Sequence, residues 1–134
     1  MTAIASPLDP RAADIYTLDF TPQLDTANGE TLASIVSVSV ALVSGQDPNP
    51  SAFLAAAPVP AINQAPATVK LPVAPGIGMA QQSVTIAAGC CIQGPMNTDG
   101  TAVAGASYEI TGEAQSSNSL RRLVCKLIVP VVAS

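Results

Sequence analysis

The chain has 134 residues, of which 49% are hydrophobic, 10% charged and 3% aromatic, with no histidine and a net charge of −4. That is one domain's worth of sequence, and it excludes histidine-based acid–base catalysis, histidine metal ligation and Ser/His or Cys/His nucleophile pairs. The 5 basic residues are too few for sequence-independent nucleic-acid binding, and a chain so far below the usual charge content of about 25% is expected to have much of its surface covered by other subunits.

Residues 1–14 are small, proline-containing and weakly acidic, and read as an extended N-terminal arm preceding a single domain at 15–134. They show no basic region followed by an apolar core, so no secretion signal is read and folding in a cytoplasm is expected. In Tyr16-Thr17-Leu18-Asp19-Phe20, apolar and polar residues alternate, which predicts a half-buried strand ending at Pro22. Asn28-Gly29 marks a turn. From Thr31 to Ser44, Val36, Val38, Val40 and Leu42 alternate with Ser37, Ser39, Ala41 and Val43 without a single charge. β-Branched residues at period two predict a long strand with one core face and one serine-lined face.

The stretch 45–82 holds seven of the 12 prolines and reads as a long proline-rich loop. It predicts one or two helical turns over Ser51–Ala57 and a short edge strand over Thr68–Val73. Its most apolar run, Phe53 to Ile62, is broken by Pro58 and Pro60, so no membrane-spanning helix is expected. Because the loop carries Phe53, Leu54, Val59 and Ile62, it is expected to lie against its own sheet or a neighbour. These four residues are the loop's candidate partner contacts. Deleting 46–66 is expected to leave a folded domain.

Ser83–Ala88 and Cys90–Ile92 predict short strands, and Gly94-Pro95 through Asp99-Gly100 a turn cluster. Ala106–Gln115 and Leu120–Val132 alternate again and predict a C-terminal β-hairpin. Arg121-Arg122, the only basic pair, is expected either to pair with Glu109 or Glu113 across that hairpin or to anchor in an acidic patch of a partner. Cys90, Cys91 and Cys125 have the wrong spacing for a zinc or redox pair. They are expected to be buried and reduced, with a Cys125 disulfide to Cys90 or Cys91 as the alternative. No catalytic residue, metal site or cofactor is read. The pattern as a whole predicts an all-β fold of about seven strands, a small immunoglobulin-like β-sandwich.

Two segments carry a family resemblance. The first runs from Asp9-Pro10 through Asp14-Ile15-Tyr16-Thr17-Leu18-Asp19-Phe20-Thr21-Pro22-Gln23-Leu24 to Gly29-Glu30-Thr31-Leu32-Ala33-Ser34-Ile35. The second runs from Tyr108-Glu109-Ile110-Thr111-Gly112-Glu113-Ala114 to Ser119-Leu120-Arg121-Arg122-Leu123. Together they resemble the opening and the closing hairpin of the fiber–tail adaptor, or neck-region, virion proteins of tailed bacteriophages. The likeness covers about half the chain. The chain departs from the family in lacking a tryptophan in its long strand and in its long proline-rich middle.

The resemblance implies a non-enzymatic β-sandwich in the virion. It would be made in the host bacterial cytoplasm and would bridge tail or neck components to fibres through packing against other virion proteins and copies of itself. Neither nucleic acid nor membrane is expected as a partner. A head decoration or cement protein, or a secreted adhesion module, is the alternative.

Overall fold

The computed structural model describes residues 2–5, 7–54, 59–72 and 81–133. It is mostly β, with 51% of residues in strands and no helix of seven residues or more. Nine strands form among the described residues: β1 Thr2–Ile4, β2 Asp14–Asp19, β3 Leu32–Ser44, β4 Ala61–Ile62, β5 Ala67–Pro72, β6 Gln81–Ile86, β7 Cys91–Met96, β8 Ser107–Ser116 and β9 Arg122–Pro130.

They make a four-stranded sheet in the order β1-β9-β8-β3, a three-stranded sheet β2-β7-β4, and a β5–β6 hairpin. Every pairing is antiparallel except β1 with β9. The four-stranded sheet lies face to face with β2 and β7. A Cβ added at Gly112 of β8 would fall 2.4 Å from a Leu18 methyl and 3.7 Å from both Ile92 and Phe20. Between the two layers Tyr16, Leu18, Phe20, Ile92, Tyr108, Ile110 and Val129 are fully buried.

The C-terminal hairpin forms as expected, with β8 alternating half-buried and buried residues along its whole length. The strand expected from Leu120 starts two residues later, because Leu120 lies in the turn and is exposed. In β3 the inward row is Ile35, Val38, Val40 and Leu42 rather than one beginning at Val36. A register shift between Ile35 and Ser37 changes the phase of the pleat and leaves Val36 exposed.

The Gly94-Pro95 pair, expected in a turn, runs inside β7. Pro95 stands opposite Ile15, and Phe20 N–H donates to Cys90 O at 3.0 Å. That phase puts Ile15 and Pro95 at a position with no ladder bond between them, where the missing N–H of proline costs nothing.

The N-terminal arm is extended, but it does not stand free of the domain. Thr2–Ile4 pair with Lys126–Ile128, and Leu8 is buried and exchanges backbone bonds with Pro130 and Val132.

The stretch 45–82 also holds more structure than its prolines suggest. A single 3-10 turn spans Pro50–Phe53; residues 55–57 of the expected helical segment lie outside the described residues. The expected edge strand at Thr68–Val73 appears as β5, paired along its length with β6, while Val73 lies outside the described residues.

Candidate interaction surface

The six residues singled out as partner contacts fall in different environments. Phe53 is 1% exposed, and its ring stacks on Tyr108 with centroids 4.3 Å apart and planes 6° from parallel. It is a core residue and cannot reach a partner, because the 3-10 turn folds it back beneath the loop. Leu54 and Ile62 are half-buried; Leu54 bridges to Met96 and Ile62 sits in β4 opposite Ile92. Val59, 74% exposed, is the one loop candidate that faces outward.

The same loop supplies two polar anchors. Asp47 accepts a hydrogen bond from the Tyr108 hydroxyl. Asn63 accepts from the backbone of Cys90 and Cys91 at 3.1 Å each and donates to Ala65 O and Ala87 O. Deletion of 46–66 would remove Phe53 and Asn63 together, so the expectation of a folded remnant does not stand.

The basic pair divides. Arg122 pairs with Glu113 across the hairpin at 3.6 Å, as one of the two sequence readings holds. Arg121 reaches 91 residues back along the chain to Glu30 and donates a second bond to Gln23 O at 2.7 Å. Glu30 is buried, accepts the Ser116 hydroxyl, and accepts the backbone N–H of Asp25 at 2.7 Å. These donors, the Ser116 hydroxyl foremost, hold its carboxyl below the usual 4.5 against the opposing pull of desolvation.

A group whose pKa is lowered by folding stabilises the native state above its unfolded value, and that contribution is lost as the pH falls through the folded value. The melting temperature is therefore expected to drop on acidification below about pH 4.5. Glu30→Gln should be less stable at neutral pH, with its deficit against wild type shrinking as acid protonates the wild-type carboxyl. An acid melting series on both proteins checks this, and a deficit independent of pH would reject it.

All three cysteines are buried and unpaired. Burial foremost, with the Asp19 carboxylate adding, pushes the Cys91 thiol up to about 12. Burial likewise raises Cys125 to about 11. The neutral thiols contribute fully below about pH 9 and their contribution is lost as the pH rises through the folded values. The native protein at pH 8 is expected to leave a thiol-titrating reagent unreacted, whereas denaturant should release all three thiols. A rapidly reacting native thiol would contradict this placement. No group of three or more potential metal ligands occurs among the described residues, and no described helix is long and apolar enough to cross a membrane.

Two features of the surface present backbone rather than side-chain chemistry. Along β2 a cleft of about 480 Å³ opens between the arm and the β5–β6 hairpin, lined by Leu8, Ile15, Val69 and Leu127 with Asp14 and Lys70. Asp14 caps part of this edge, accepting the Ile15 N–H at 2.7 Å. Among the described residues β3 is the last strand of its sheet, 13 residues long and uncharged. Its inner row is only half-buried. The charged residues of that sheet's outer face pair among themselves, Arg122 with Glu113 and Lys126 with Glu109 at 3.9 Å, and leave β3 neutral.

Soluble proteins ordinarily protect such an edge with lysines, prolines or a covering element. Here the described protection consists of three register shifts, between Leu32 and Ser34, between Ile35 and Ser37 and between Leu42 and Ser44. The sequence predicted the strand and its lack of charge; that the strand is an edge comes only from the pairing order.

No family model matches the chain, and neither a curated protein nor a solved structure matches it.

Proposed function

We propose that the chain is a non-enzymatic structural protein of a tailed-phage virion, an immunoglobulin-like β-sandwich that joins tail or neck components to fibres by packing against neighbouring subunits. The observation that carries this reading is the uncharged, half-covered edge strand β3. In a free monomer it is a liability; in an assembly it is a surface that a neighbour's strand completes through backbone hydrogen bonds. The low charge of the whole chain supports the same reading, since permanent interfaces are depleted in charge. The resemblance of the 9–35 and 108–123 segments to fiber–tail adaptor proteins supplies the virion context.

The arm contributes less to bridging than its sequence suggests, because Thr2–Ile4 and Leu8 are already used within the chain. Contacts to partners then fall to Val59, to the exposed parts of Arg121 and Arg122, and to the two sheet edges.

Mass spectrometry of purified particles with copy-number determination tests the proposal. A count on the scale of one ring of subunits places the protein at the neck or tail, and hundreds of copies would instead make it a head decoration protein. Its absence from particles would reject both.

A further inference from the structure

We infer that β3 is the contact of a symmetric dimer, in which two copies of this chain join their four-stranded sheets edge to edge about a two-fold axis through Val40.

The backbone phase of the sheet identifies the groups available. Pro130 has no N–H and stands opposite Ser107, so that pair cannot exchange two backbone bonds. The Ser116 N–H donates to Arg121 O at 3.1 Å and the Val131 N–H to Ala106 O at 2.8 Å, which set the same phase at both ends of the hairpin. The even-numbered residues of β8 therefore bond to β9. The odd-numbered ones, Glu109, Thr111 and Glu113, turn toward β3, where they stand opposite Ala41, Ser39 and Ser37. By alternation Val38, Val40 and Leu42 direct their N–H and C=O away from β8, to an edge where no other strand pairs with β3 among the described residues. The side chains of the same three residues form the half-buried inner row.

An antiparallel copy placed with its Val40 opposite this Val40 satisfies those groups. Val40 pairs with Val40, Val38 with Leu42 and Leu42 with Val38, three pairs that each exchange two backbone bonds. Side chains that meet lie on matching faces, with valine and leucine on the inner side and Ser39 against Ala41 on the outer. Moving the axis to Ser39 or Ala41 leaves two such pairs, because the third falls on a register shift beyond Ser37 or Leu42.

Charge favours a second copy as the occupant. The strand carries none, the outer-face ions are paired within each copy, and the acids that flank β3 are engaged at home, Glu30 with Arg121 and Asp47 with the Tyr108 hydroxyl. Doubling the sheet therefore opposes no unpaired like charges. The contact from Ser37 to Val43 is about 24 Å long, which puts it at the small end of interface sizes and makes the dimer reversible. The dimer stands whether or not the chain belongs to a virion.

Sedimentation equilibrium of the full chain tests it, with two double variants at the exposed positions Ser39 and Ala41, where the fold should be unaffected. Wild type is expected to dimerise with a Kd that changes less than about threefold between low and high NaCl. Ser39→Lys with Ala41→Lys sets lysines opposite each other twice and should weaken the dimer by about tenfold or more. Ser39→Glu with Ala41→Lys sets glutamate opposite lysine twice, leaves each lysine beside Glu109 of its own chain, and should stay within about threefold of wild type. A wild-type chain that remains monomeric at about 0.3 mM would overturn the proposal and leave the edge to a strand of another protein. So would the two double variants behaving alike, whether both dimerise or neither does.

Discussion

Replacing Phe53 by alanine is expected to destabilise the fold by about 3–5 kcal/mol. The ring is buried in a loop expected from sequence to lie against its own sheet or a neighbour, and its stacking on Tyr108 couples that loop to the start of β8. Alanine removes most of the side chain, opens a cavity against Tyr108 and ends the ring-on-ring contact, worth about 0.5–1.5 kcal/mol by itself. The domain as a whole has a stability of order 5–15 kcal/mol. The variant should therefore melt roughly 10–20 °C lower, or fail to fold cooperatively. Phe53→Leu keeps much of the volume and should lose less than half as much. Denaturant melts of the two variants beside wild type decide the matter, and an alanine variant within about 1 kcal/mol of wild type would mean that the loop does not close the core.

Asn97→Ala is expected to cost a similar amount by a different route. Asn97 is 0% exposed, and its side chain ties the arm at Pro10 and Ala12 to the turn that leads to Ala102. Its amide donates to Pro10 O at 2.9 Å and Ala12 O at 2.8 Å, and its carbonyl oxygen accepts the Ala102 N–H at 2.9 Å. Its own N–H donates to Phe53 O at 2.7 Å. Its φ of 54° lies in the left-handed region, where asparagine is tolerated better than alanine.

Alanine keeps the backbone bond to Phe53 O but would leave Pro10 O, Ala12 O and the Ala102 N–H without partners, at about 1 kcal/mol or more each, and add about 1 kcal/mol of backbone strain. The expected loss is about 3–5 kcal/mol. Asn97→Gly loses the same hydrogen bonds without the strain and should be about 1 kcal/mol more stable than the alanine variant. Equal stabilities would show that the positive φ carries no cost, and a small loss in both would show that the segments hold together without this side chain.

The parts of the fold that were legible in the sequence are those where one face is buried and the other is not. β2, β8 and β9 alternate because water lies on one side of the sheet and core on the other, so a window of five or six residues carries the signal. β3 was legible as a strand for the same reason, and Val38, Val40 and Leu42 keep the expected inward face, while Val36 does not because the register shift between Ile35 and Ser37 changes the phase there. β4 is too short for any periodicity to show. β5 and β6 were legible as short strands, each displaced by one or two residues, whereas proline obscured the Gly94-Pro95 stretch of β7, since proline is forbidden only where a ladder needs its N–H, and that need depends on which strand lies beside it.

The candidate site was legible by halves. Arg122 with Glu113 follows from hairpin register alone. Arg121 with Glu30, and the anchoring roles of Asn63 and Asn97, join residues far apart in the chain that read locally as turn formers.

By itself, then, the amino-acid sequence determined that this is an all-β chain without histidine chemistry, carrying one long uncharged strand. Local alternation and composition are sufficient for that. Only the tertiary structure decided that this strand is the outermost of its sheet, that Phe53 belongs to the core and that the arm is tied to β9. Each of those depends on which distant segment comes to lie alongside, and strand order is settled by the packing of whole sheets.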